Sequence, residues 1–315
     1  MSPGRDGGRE YRMVVNAPSR TLQGGTMIIG AMAVIGLIDN FVVVISQEAG
    51  LWQFHFIRSL IGCAVLVTFC RLTGRRLVPA NPGSVLLRSC LVAVAMVLYF
   101  GSLAVMPIAE AGSALFTSPI FILVFSVLFF RTRVGPIRVI AVAVGFAGVL
   151  LVLRPDPANL RLASLFPLFA GMFYGLGQLV TRHRCAGEDT AVLLLWFLAI
   201  LGTVGFAGSV LFSLVSVPDS WMAAAPFFVT GWVPPTERFL IWTAIQSAGS
   251  LIAVSGLIRG YQVADPTLVA VFEYSFLLFG GFWGWMLWQQ VPDSLDVIGI
   301  LAVVVAGCLI AIRNR

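Results

Sequence analysis

Three formally charged side chains sit inside long apolar stretches of this chain. Asp39 comes seven residues before Ser46, where the first apolar run ends, and Arg58 comes seven residues after Leu51, where the second begins. At about 1.5 Å per residue, both lie roughly 10 Å below the same face. Opposite charges at equal depth on neighbouring helices suit a structural ion pair. They equally suit a vestibule pair that opens to engage a charged group on a solute. Glu273 lies nine residues into the ninth run, near mid-depth, with no basic residue in that run. A charge at the centre of a bilayer costs about 2.5–3.5 kcal/mol on insertion scales, so each of these residues needs a partner or a task. For Glu273 the task would be proton coupling or cation binding; the plain alternative is a protonated carboxyl bonded to a neighbouring helix.

Weaker candidates share the same apolar environment. Tyr99, Gln178 and Gln246 fall in the third, sixth and eighth runs, where such side chains either contact a solute or bond helix to helix. Ser118-Pro119 interrupts the fourth run near its middle, since proline removes an N–H and frees a carbonyl. Gly171-x-x-x-Gly175 and Gly280-x-x-x-Gly284 permit close helix contact, within the monomer or at a homodimer seam.

Other chemistry is poorly provided for. There are two histidines, His55 and His183, and five cysteines with no C-x-x-C pair. No H-E-x-x-H, P-loop or catalytic triad is present, so no metal and no cofactor is expected. A membrane-embedded enzyme and a purely structural membrane protein remain as rival readings.

The elements that carry these residues follow from composition. Of 315 residues, 59% are hydrophobic and 11% charged, with a mean hydropathy of +0.96. A soluble domain carries about 25% charged residues, so lipid is the expected main solvent. A helix needs roughly 20 apolar residues to cross the hydrocarbon core. Ten such runs are predicted, at 27–46, 51–70, 87–106, 109–130, 136–153, 162–181, 190–217, 237–258, 264–288 and 294–312. The fold class is therefore an all-α membrane protein of ten transmembrane helices. The first run is too long for a signal-peptide core and is read as a retained helix.

All 20 basic residues are arginines, and the net charge is +6. The arginines cluster in short loops, which fits membrane topology better than nucleic-acid binding. With the N-terminus inside, sixteen fall on the cytoplasmic side, three outside (Arg154, Arg161 and Arg238) and one, Arg58, within a span. Both termini are thus expected in the cytoplasm, in a bacterial inner membrane.

The chain also resembles itself. "AEAGSALFTSPIFILVFSVLFF" (109–130) matches "ADPTLVAVFEYSFLLFGGFWGW" (264–285) in pattern, and "VAVGFAGVLLVLRP" (142–155) resembles "LAVVVAGCLIAIRN" (301–314). Five spans per half would insert the second half upside down, which is the inverted repeat of many secondary transporters. The expected organisation is a cytoplasmic tail (1–26), a first five-helix repeat (27–153) and a second (163–312).

Four stretches carry a family resemblance: "LIDNFVVVISQ" (37–47), "FHFIRSL" (54–60), "SLAVMPIAEAGSALFTSPIFILVFSVLFF" (102–130) and "VIGILAVVVAGCLIAI" (297–312). The chain resembles the drug/metabolite transporter superfamily, in its ten-helix EamA-type branch. The resemblance implies alternating-access movement of a small organic solute, such as an amino-acid derivative or vitamin, without ATP hydrolysis. Family members often carry Glu-Pro in the middle of the ninth span, where this chain has Glu273-Tyr274. The inverted repeat also sets Glu110, opening span four from outside, against Asp265, opening span nine from inside; both are expected to help close gates. The expected partners are the solute, the lipid bilayer and protons as a coupling ion.

The orientation is open to direct test. Single cysteines at positions 157, 219 and 293 should react with an impermeant maleimide in intact cells, and those at 133 and 187 only after the membrane is opened. Labelling of position 133 from outside would invert the topology.

Overall fold

The computed structural model describes residues 7–102, 112, 114–155, 165–289 and 291–313. Among them every regular element is helical. In chain order the main helices are α1 (Gly7–Asp39), α2 (Leu51–Leu72), α3 (Pro82–Ser102), α4 (Ser118–Leu128), α5 (Pro136–Leu153), α6 (Leu165–Arg184), α7 (Thr190–Leu214), α8 (Glu237–Val263), α9 (Ser275–Trp288) and α10 (Ser294–Arg313). The two ends of the bundle are called outer and inner below, after the arginine distribution.

Among the described residues, eight segments are long and apolar enough to cross a membrane. The two expected spans outside that set are the fourth and sixth. The fourth is described mainly as α4, which has 11 residues. α6 has 20 residues, but Tyr174, Gln178, a run of glycines and a basic last turn dilute its hydropathy. α1 begins well before the apolar run that marks it in the sequence, because helix propensity continues into the polar tail. α3 likewise starts at Pro82, ahead of its apolar run at 87, with proline at the position where a missing N–H costs nothing.

Three helices are interrupted. α1 stops at Asp39, turns through Asn40 and Phe41, and resumes as Val42–Ser46. Asn40 Nδ2 bonds the freed carbonyl of Gly36 at 2.6 Å. A turn at Phe116 and Thr117 precedes α4, as Ser118-Pro119 led one to expect. Before α9, a short turn (Pro266–Val269) passes into a 3-10 stretch, Ala270–Tyr274, that contains Glu273. A 3-10 segment inside a membrane helix marks a hinge or a site of strain.

The most extensive packing joins α1 with α8, α3 with α6, α2 with α7, and α5 with α10; α1 with α9 and α4 with α6 follow, then α3 with α7 and α2 with α8. Lipid offers helices no hydrophobic drive to associate, so small residues and close backbones must do it. At the α5–α10 crossing, a Cβ on Gly148 would lie 2.5 Å from the Gly299 carbonyl oxygen, and one on Gly299 would lie 2.7 Å from that of Gly148. At the α2–α7 seam, a Cβ on Gly205 would lie 2.7 Å from both the Trp52 oxygen and the Phe56 nitrogen. Trp52 is itself buried in this seam and donates to the Phe228 carbonyl at 2.7 Å, so it packs the seam. Gly171 and Gly175 meet the start of α4, so the first glycine motif serves a contact within the monomer, and Gly36 meets the Gly280 backbone.

Polar staples close the ends. Outside, Arg154 caps α5 in the left-handed conformation and reaches Asp293 and Asp296 before and within α10. The Arg154 hydrogen bond holds the Asp293 carboxyl down to about 2. Inside, the Glu188 carboxylate accepts from the backbone N–H groups of Ala80 and Asn81, at 3.0 and 2.6 Å.

The glycine seams predict a selective response. Gly205→Ala forces a methyl into two backbone atoms and should lower stability by about 1–3 kcal/mol. Gly30→Ala, with nothing within 4 Å of the new Cβ, should leave it unchanged or slightly raised. Thermal unfolding of the purified variants decides; equal melting of both would mean that the α2–α7 seam is loose.

Candidate functional site

Two polar clusters form inside the helix bundle, one towards its outer end and one near its middle. The outer cluster gathers four of the residues singled out from the sequence. Asp39 and Arg58 are brought together as their depths implied, yet they form no direct salt bridge among the described ion pairs. Gln246 of α8 stands between them. Its Oε1 accepts from Arg58 Nη1 at 3.4 Å and from Ser250 Oγ at 3.2 Å, and its side chain lies close to the Asp39 carboxyl. Tyr99 of α3 is close enough to Asp39 to feel its charge.

The arrangement follows from helix geometry. Asp39 is at the last turn of α1, where the chain breaks, and this frees its side chain to reach α8. Arg58 is 6% exposed and its guanidinium lies over the Phe54 ring, 5.3 Å from the centroid. Ser247 Oγ donates to the Arg58 carbonyl at 2.9 Å, locking α2 to α8 at this level. A guanidinium has five N–H donors, and Nε of Arg58 has no partner. His55, one turn above, is fully buried with both ring nitrogens unpartnered, edge-on to Phe100 at 5.0 Å. The sequence analysis passed over His55 because a lone histidine carries no motif.

The second cluster centres on Glu273, which is 4% exposed. Its Oε1 accepts from Tyr174 Oη of α6 at 2.7 Å and from Tyr261 Oη of α8 at 2.8 Å. Ser118, the first residue of α4, lies near the carboxyl, and α4 packs against the 3-10 stretch. Three helices thus converge on one acid in the 3-10 stretch. Neither tyrosine was singled out from the sequence. Tyr174 stands four residues before Gln178, and that helical spacing was the one available hint. Gln178 is 2% exposed; it lies near Tyr174, and its Oε1 has no partner.

Arg88 requires a correction. The topology count placed it with the cytoplasmic loops, but it lies within α3 and is 1% exposed. Its Nε donates to Thr181 Oγ1 at 3.1 Å and its Nη1 to the Leu193 carbonyl at 3.5 Å.

The two gating acids fare differently. Asp265 caps the turn before the 3-10 stretch, accepting from Thr267 N at 3.0 Å, and pairs with Arg138 at 2.8 Å at the start of α5. It joins the two halves at the inner end and belongs to neither cluster. Glu110 lies outside the described residues. No group of three or more metal-binding side chains occurs among the described residues.

Chemically, the clusters offer charge recognition and proton exchange. The outer one presents a carboxylate and a guanidinium held apart by an amide. The central one presents a carboxyl whose phenol donors favour its charged form while burial opposes that charge.

Known proteins give this geometry a setting. Residues 22–154 match the EamA-like transporter family, as the resemblance implied. The chain is 28% identical to a pseudopaline exporter of Pseudomonas aeruginosa, over 84% of this chain and 86% of that one. It is 25% identical to a riboflavin transporter of Rhizobium johnstonii, over 96% of each. A Rickettsia bellii S-adenosylmethionine uptake transporter is 23% identical over 84% of each chain. One solved crystal structure superposes with a TM-score of 0.76 at 19% identity, over 94% of this chain and 99% of that one, which shows a shared fold. These relatives are named as transporters and not as enzymes.

The outer cluster yields a thermodynamic prediction. Asp39→Asn and Arg58→Gln should each destabilise the folded protein, because each leaves the other charge without its balance. The double variant should lose less than the sum, with a coupling of about 0.5–3 kcal/mol. Denaturation in detergent provides the cycle. Additive losses would show that Gln246 insulates the two charges instead of linking them.

Proposed function

We propose that this chain, whose first half carries the EamA-like transporter pattern, is a secondary carrier that moves a small organic metabolite across the inner membrane by alternating access. Both termini face the cytoplasm in this reading. The observation that carries it is the meeting of two interrupted helices at Ser118 and Glu273. Broken helices at mid-depth are where repeat-built carriers place their sites.

The packing pattern supports ten spans in two inverted repeats, 27–153 and 163–312. Exchange α1 with α6, α2 with α7, and so on through α5 with α10. The α1–α8 pair then becomes α6–α3, α1–α9 becomes α6–α4, and α3–α7 becomes α8–α2. The α2–α7 and α5–α10 pairs map onto themselves, and all of these pairs are packed. In the ungapped match of 109–130 to 264–285, Ser118 takes the place of Glu273. Two symmetry-related residues that lie close to each other mark where a pseudo-two-fold axis would pass.

Roles follow from this frame. Asp39, Arg58, Gln246 and Tyr99 form the outer recognition station. Their opposed charges, separated by Gln246, suit a cargo with both a cationic and an anionic group. Glu273, with Ser118, Tyr174, Tyr261 and Gln178, forms the central station and couples to protons. Protonating Glu273 removes the charge that holds both phenols, which loosens α6 and α8 from the 3-10 stretch. Glu110 and Asp265 help close the two gates.

Glu273→Gln should leave the protein folded but flatten the pH dependence of uptake, while solute exchange persists. Reconstituted protein tested with a panel of radiolabelled metabolites, in uptake under a pH gradient and in counterflow, separates the two activities. An unchanged pH profile would make Glu273 a structural hydrogen-bonder.

A further inference from the structure

Arg88 is a buried cation that the outer and central stations leave unused. It stands six residues into α3 from the inner start at Pro82, as Arg58 stands seven residues into α2 from the outer start at Leu51. Each is therefore roughly 10 Å from its own end of the bundle. Among the described residues no carboxylate forms an ion pair with Arg88. Of its five N–H donors, Thr181 and the Leu193 carbonyl take two, and the Phe197 ring lies 6.0 Å from the guanidinium carbon. A buried charge with neutral partners only is a costly state.

What lies beside it gives the cost a purpose. Tyr174, Gln178 and Thr181 fall at i, i+4 and i+7, on one face of α6. Thr181 holds Arg88 at the inner end of that face. Tyr174 holds Glu273 at the other. Between them sits the Oε1 of Gln178, a buried acceptor with no donor. The face is a polar stripe about 10 Å long, with a cation at one end, an acid at the other and an unused acceptor midway.

We infer that Arg88, Gln178 and Glu273 form an inner binding site that takes a dipolar organic solute lengthwise, with its carboxylate or phosphate on Arg88 and its N–H or ammonium groups on Gln178 and Glu273. This rests on the carrier reading and narrows its cargo to molecules with an acid group. Arg58 receives that group from the outer side and Arg88 from the inner side. A guanidinium suits both tasks because its fork bonds an oxyanion through two N–H groups at once.

Matched solute pairs test the site on the full-length purified protein. The probes are S-adenosylmethionine with its decarboxylated form, riboflavin 5′-phosphate with riboflavin, and L-tryptophan with tryptamine, each read by thermal shift and by counterflow in proteoliposomes. At least one acid-bearing member should stabilise the wild type more than its partner does. Arg88→Gln should weaken that member by about tenfold or more and leave the partner's effect unchanged. Gln178→Leu, which keeps Arg88, should weaken the same member. Without solute, Arg88→Gln should melt at or above the wild-type temperature, since it removes an unbalanced buried charge. If Arg88→Gln does not fold, Arg88→Lys must show the selective loss in its place. Shifts from the members lacking the acid only, or shifts that Arg88 and Gln178 do not alter, overturn the site and leave the carrier reading standing. No shift and no counterflow from any probe overturns both.

Discussion

The hydrocarbon core of a bilayer holds no water to bond a stray polar group, and the rest of this structure is arranged around that constraint. It forces each backbone segment at that depth into a helix, and it makes each break in a helix depend on a local substitute. Asn40 supplies one at the end of α1, and Glu273 collects phenol donors at the 3-10 stretch. It also means that helices gain nothing from hiding apolar surface, so contact must come from backbones that touch. Hence the glycines at the α2–α7 and α5–α10 seams.

The same constraint sorts the charged residues into two kinds. At the bundle ends, where water reaches, they pair conventionally: Arg154 with Asp293 and Asp296, Arg138 with Asp265. Inside, Arg58, Arg88 and Glu273 are instead held by neutral amides, hydroxyls and phenols, and Asp39 lies beside the Gln246 amide. Direct ion pairing would be the cheaper way to bury them. Neutral partners keep each charge solvated by protein while leaving it free to accept another counter-charge. That is the behaviour required of groups that must bind a solute and then release it.

The sequence made the depth of charges legible, because position along a helix converts directly into distance from its end. Asp39, Arg58 and Glu273 stood out for that reason, and the outer cluster does bring Asp39, Arg58, Gln246 and Tyr99 together. Lateral neighbours were less readable. Nothing in the spacing of one helix reveals that Gln246 would lie between Asp39 and Arg58, or that Tyr174 and Tyr261 would share one carboxyl oxygen, since these contacts depend on how separate helices rotate against each other. Arg88 was misplaced for a related reason. Hydropathy put Arg88 one residue past the start of its run, at the edge of the inner loop; α3 begins five residues earlier, at Pro82, which carries the arginine deeper into the bundle. α6 was counted as a span because of its apolar first half; its polar face toward Glu273 and Arg88 is what lowers its hydropathy.

The central claim is that the two halves rock around this polar core, so that its two ends open in turn. Double electron–electron resonance on a background freed of native cysteines measures this directly. One pair of spin labels would sit at outer positions 48 and 219, and a second at inner positions 74 and 187, in lipid nanodiscs across a range of pH. The account predicts two distance populations in each pair, with the outer distance lengthening under conditions where the inner one shortens. A single distance in both pairs, unmoved by pH and by Glu273→Gln, would contradict it.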